Sequence, residues 1–67
     1  MNLNSIIAAT NNFVKEAELA AKNGDNVSYS KKNALLTKLG TFFMKGEPFE
    51  GSFKEAYEKL DKVTNVA

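Results

Sequence analysis

The sequence predicts an all-α fold, a bundle of three helices. Apolar residues recur at spacings of three and four, residues that cap helix starts stand ahead of these runs, and glycines stand just behind the first two. The expected helices cover about 4–23, 28–45 and 52–65, within one domain that takes in residues 1–67. Short connections between helices favour antiparallel neighbours, so an up-down-up arrangement is the simplest one.

The first helix is expected to start after Asn2 or Asn4, both competent N-caps, and to run to Asn23 with Gly24 just beyond its end. Its buried stripe is Ile6, Thr10, Phe13, Ala17 and Ala20, flanked by Ile7, Val14 and Ala21. Leu19 falls on the opposite face beside Lys15 and Lys22, and a single exposed leucine needs no function.

Asp25, Asn26 and Val27 form a polar turn, after which Ser28 is the expected N-cap of the second helix. That helix should end at Lys45 with Gly46 behind it, and Pro48 prevents it from resuming. Phe49 is expected to fold back over the open end of the core. The third helix is read from a capping box at Ser52 and Glu55, followed by Phe53, Ala56, Tyr57, Leu60, Val63 and Thr64 on one stripe. Glu55 with Lys59 and Glu58 with Lys62 are acid-first i,i+4 pairs.

Composition narrows the function classes. A chain of 67 residues has a thin core, burying about 60% of the surface its unfolded form exposes. Histidine and cysteine are both absent, which removes disulfides, the usual zinc ligand sets, the commonest general base and the best nucleophile. Glu16 and Glu18 point to different helix faces, and the remaining carboxylates read as linker, capping and ion-pair residues. No catalytic residue, metal or cofactor is expected. Oligomerisation or a partner chain is the remaining way to support so small a core, and a homodimer is the expected assembly.

No stretch reaches the roughly 20 apolar residues of a membrane span, and the first residues lack the pattern of an export signal, so a cytoplasmic protein without a membrane partner is expected. All nine basic residues are lysine, and asparagine occupies eight positions. That bias suggests an AT-rich coding sequence such as those of low-GC bacteria and their phages. Lysine also lacks the bidentate fork with which arginine reads guanine or grips phosphate.

The second helix is the unusual element. Tyr29, Leu36 and Phe43 define one apolar edge with Leu39 beside it, and Leu35 and Phe42 define a second edge about 100° away. Either the middle helix faces both neighbours and buries both edges, or Leu35, Leu39 and Phe42 form an intermolecular seam. Gly40 lies within this sector and is either a point of close approach or a weak spot tolerated by packing. On what reads as the opposite side, Lys31, Lys38 and Lys45 form a basic stripe about 21 Å long.

The expected partner-binding set is therefore Leu35, Leu39, Phe42, Lys31, Lys38 and Lys45, and the expected function is that of a small protein-interaction or inhibitor protein without enzymatic activity. Its apolar side chains would enter a groove on a protein partner while the lysines steer it toward acidic surface. The alternative is a small DNA-binding regulator using the same lysines. Ala20 and Gly24 have the spacing of a helix-turn-helix, which would put Lys31, Lys32 and Asn33 at the start of its second helix, but Ser30 stands where that motif wants an apolar anchor.

Overall fold

The computed structural model describes residues 2–64. It contains the three expected helices, α1 (Leu3–Asn23), α2 (Tyr29–Met44) and α3 (Gly51–Asp61), with no strand among the described residues. Asn2 caps α1, its side-chain oxygen accepting from the Ser5 N–H at 2.8 Å, and Ser28 caps α2 by accepting from the Lys31 N–H at 3.3 Å. Both helices end on a left-handed glycine, Gly24 at φ 75° and Gly46 at φ 86°. At that φ the chain reverses and saves two orphan carbonyls at each end. Gly24 and Asp25 donate to Ala21 and Ala20, and Gly46 and Glu47 donate to Phe43 and Phe42.

The start of α3 differs from the capping-box expectation. The helix begins one residue early at Gly51, entered through extended backbone at Glu50, and no side chain caps it. Ser52 is then already inside the helix, where its hydroxyl cannot occupy the capping position. The helix ends at Asp61, short of the expected end at 65, because the Lys62 and Val63 N–H groups close it by donating to the Glu58 and Leu60 carbonyls; residues 62–64 are not helical. Thr64, assigned to the buried stripe, is exposed. The acid-first pairs of α3 do not close among the described residues, where the ion pair that forms is Lys31–Glu16 at 3.7 Å.

Contacts at both ends fix the topology. Lys31 near the start of α2 meets Glu16 of α1, while Phe42 near its end shares a groove with Ile6. Those separations, about 16 Å along α2 and about 15 Å along α1, nearly match, so the two helices run antiparallel along their lengths. A helix-turn-helix would cross its helices far more steeply. α2 and α3 are likewise antiparallel, because Phe43 meets Phe53 at one end and Lys32 meets Val63 at the other. All three helices touch one another, and α1 shares its broadest contact with α3.

The core collects Ile6, Ile7, Phe13, Val14 and Ala17 from α1, Leu35 and Leu39 from α2, and Phe53, Ala56 and Leu60 from α3, with Val63 just beyond. Ala20 is only half-buried and Ala21 is exposed, so the buried stripe of α1 stops short of its last turn. Thr10 is the buried polar residue, and its hydroxyl is satisfied by donating to the Ile6 carbonyl at 2.8 Å. Among the described residues no buried side-chain polar atom lacks a partner.

Leu35 and Leu39 are 7% and 0% exposed, which places them in the monomer core and removes them from the expected docking set. In a three-helix bundle the middle helix must satisfy two neighbours, and these two side chains point between them. Phe42 stays half-buried against the core. We expect Leu39→Ala to cost roughly 2–5 kcal/mol in urea unfolding. Leu35→Glu should abolish the helical circular dichroism at 25 °C while Phe42→Glu retains it, and loss of fold in both would show that Phe42 is also core.

Candidate functional site

α2 leaves two edges in contact with water, and they differ in chemistry. A rotation of 100° per residue sets Lys38 about 40° and Lys45 about 60° from Phe42. The lysine stripe therefore borders the Leu35–Phe42 edge instead of lying opposite to it. The structure agrees: Ile6, Lys38, Thr41, Phe42 and Lys45 line one shallow groove of about 240 Å³ at the α1–α2 junction, with no acid in its lining. The Lys45 ammonium sits 5.3 Å from the Phe42 ring centroid. At that distance the cation covers part of the ring face and is itself held near it.

The lysines of α2 are not equivalent. Lys31 lies 5.8 Å from the Phe13 ring centroid and pairs with Glu16 through two well-exposed side chains, an arrangement that contributes little to stability. Lys32, which in a helix-turn-helix would start the second helix beside Lys31 and Asn33, crosses to α3 instead. Its Nζ donates to the carbonyl oxygens of Asp61 at 3.3 Å and Val63 at 2.6 Å. A cation there satisfies carbonyls that the helix end leaves without partners and complements the negative pole of α3. Lys38 and Lys45 remain exposed on either side of Phe42.

The second edge of α2 is mostly apolar, with the Lys32 ammonium over the Tyr29 ring, 5.5 Å from its centroid, at the edge's N-terminal end. Phe43 is 40% exposed and Met44 91% exposed, Tyr29 is also exposed, and Leu36 and Gly40 are half-buried. Phe43 joins an aromatic cluster, with ring centroids 4.6 Å from Phe49, 5.2 Å from Phe53 and 5.8 Å from Tyr57. Phe49 thus folds back over the end of the core as expected. The sequence signal for the cluster is the four-residue spacing of Phe49, Phe53 and Tyr57, which stacks them along one side of the entry into α3.

A third feature is an open groove of about 320 Å³ between α1 and α3, floored by Val14, Ala17, Ala21 and Val63 and rimmed by Glu18, Lys59 and Lys62. Its rim carries both signs of charge, and none of the expected site residues reaches it.

No protein-family model, curated protein or solved structure matches the chain.

Lys32→Met keeps the length of the stem and removes the donors, and should cost about 1–2 kcal/mol. Amide hydrogen exchange should speed up first in the last turn of α3. Uniform acceleration across all three helices would contradict a local capping role.

Proposed function

We propose that the chain is a small, non-enzymatic docking protein that lays the Phe42 edge of α2 onto an acidic surface of a protein partner, acting by occlusion or scaffolding. The observation that carries this reading is the α1–α2 groove, where Lys38 and Lys45 flank a half-buried aromatic ring with no acid among the lining residues. An aromatic anchor with cationic flanks combines apolar burial with steering toward negative charge.

The distribution of charge supports it. Lys15 and Lys22 of α1 are matched by Glu16 and Glu18, and Lys54, Lys59 and Lys62 in and after α3 are matched by Glu55, Glu58 and Asp61. Only the segment from Ser28 to Lys45 is purely basic. A chain with a net charge of +1 thus presents a directional positive field. Leu35 and Leu39 leave the expected contact set, and Phe42, Lys31, Lys38 and Lys45 carry it. The lysine and asparagine bias and the small size fit a cytoplasmic inhibitor encoded by a phage or mobile element, and no helix among the described residues is long and apolar enough to cross a membrane.

The same lysines could meet a phosphate backbone, and binding to duplex DNA against capture of a protein separates the two readings. Three lysines limit a duplex DNA complex to about three phosphate contacts, a log–log salt slope of about −3. We expect no resolved shift with duplex DNA at 150 mM salt. We also expect a host protein to be retained by the native chain and lost with the Lys38→Glu/Lys45→Glu variant, whose helical spectrum should be unchanged. Equal recovery of that protein by both chains would sink the proposal.

A further inference from the structure

The Phe43 edge of α2 is separate from the groove that carries the proposed function, and it points to a second ligand, another copy of this chain. We infer that two copies pair antiparallel through α2, crossing at Gly40. Three observations lead there.

First, the monomer gives Gly40 no purpose. Glycine inside a helix is destabilising relative to alanine, and the usual compensation is a neighbour that needs the space. Here a Cβ at Gly40 would meet nothing within 4 Å. The space above Gly40 is open, half-way along a strip in which Leu36, Phe43 and Met44 are the large apolar side chains.

Second, the strip is self-complementary. Leu36 and Phe43 lie to one side of Gly40 and Thr37 and Met44 to the other, each pair seven residues apart and straddling the glycine. Reversing the helix about a two-fold axis at Gly40 exchanges the members of each pair. Leu36 of one copy then packs on Phe43 of the other, Thr37 on Met44, and the two glycines allow the backbones to close on each other. Isologous contacts require this kind of symmetry, in which a patch fits its own reverse. It also gives the 91% exposed Met44 an apolar neighbourhood.

Third, charge and size suit a second copy. Tyr29, Asn33, Leu36, Thr37, Gly40, Phe43 and Met44 include no charged residue, and the one ammonium that borders them, Lys32 at 5.5 Å from the Tyr29 ring centroid, is held by the Asp61 and Val63 carbonyls about 12 Å along the helix from Gly40. α2 is about 24 Å long. A standard interface of roughly 800 Å² per partner would take about a sixth of the 4584 Å² monomer surface, and Phe49 and Tyr57 extend the strip toward that area. Lys38 and Lys45 stay outside the contact, on the opposite flank of the helix.

The test is sedimentation equilibrium of the full chain, with circular dichroism as the control for folding. The native chain should change from 7.4 kDa to twice that mass as its concentration rises. Gly40→Leu and Met44→Asp should hold the mass at one chain with helicity unchanged, and Thr41→Leu should dimerise as the native chain does. Register is read by disulfides, since the chain has no cysteine of its own. Gly40→Cys should cross-link on mild oxidation, whereas Met44→Cys should not, because its two copies would lie about 12 Å apart along the helix axes. A native chain that stays monomeric at millimolar concentration overturns the inference. So does a dimer that survives both disrupting substitutions, or one that cross-links through Met44→Cys.

Discussion

Burial of Leu35 and Leu39 between α1 and α3 is the constraint from which the rest of the surface follows. Each such side chain contributes on the order of 1.5–3 kcal/mol when fully withdrawn from water, a large share of the stability of a 67-residue chain. Once those two point inward, the rotation of α2 is fixed, and every other residue on it is assigned a place. Lys31, Lys38 and Lys45 fall along the α1 side with Phe42, and Tyr29, Leu36, Gly40 and Phe43 fall along the α3 side. A helix rotated to expose Leu35 would draw the lysines toward the solvent-facing centre of α2 and lose the groove in which Phe42 sits.

The two exposed edges divide the work between electrostatics and apolar contact. Long-range attraction needs charge that is not cancelled nearby, and in this chain only α2 provides it, because the other helices balance their own charges. Apolar self-association needs the opposite, a surface where no ion must be stripped of water. Both are met on one helix because Lys31, Lys38 and Lys45 cluster on a single flank, while Lys32 is turned to the carbonyls at the end of α3. An arginine in their place would bring a planar fork suited to bidentate contacts, whereas a lysine ammonium acts as a compact, strongly hydrated point charge.

Much of the fold was legible in the sequence because its determinants are local. Gly24, Ser28 and Gly46 each act on backbone groups within five residues, so their roles can be read from position alone, whereas the choice between Asn2 and Asn4 needs the bond from the Ser5 N–H. The start of α3 is misleading in the sequence, because Ser52 and Glu55 imitate a capping box while the chain enters the helix earlier, through Glu50 and Gly51. The site was less legible. Leu35 and Leu39 look the same in sequence whether they face a neighbouring helix or a foreign protein, and only the packing of α2 against both neighbours distinguishes them. The relation of the lysines to Phe42, by contrast, was implicit in helical geometry and needed only the angle to be followed. The bond from Lys32 to Asp61 and Val63 spans about half the chain and leaves no local trace.

That bond gives chemical modification of this protein an uneven outcome. The chain has nine lysines and no other basic side chain, so a reagent or enzyme that acylates amines meets a nominally uniform set of targets. Acylation at Lys38 or Lys45 would erase positive charge from a surface and leave the architecture standing. At Lys32 it would convert the donor that closes the end of α3 into a bulkier neutral amide, so a change of charge becomes a loosening of the last helix. Heavily acylated samples would therefore lose structure for a reason unrelated to their total charge, and the half-buried position of Lys32 would make it among the slower lysines to react.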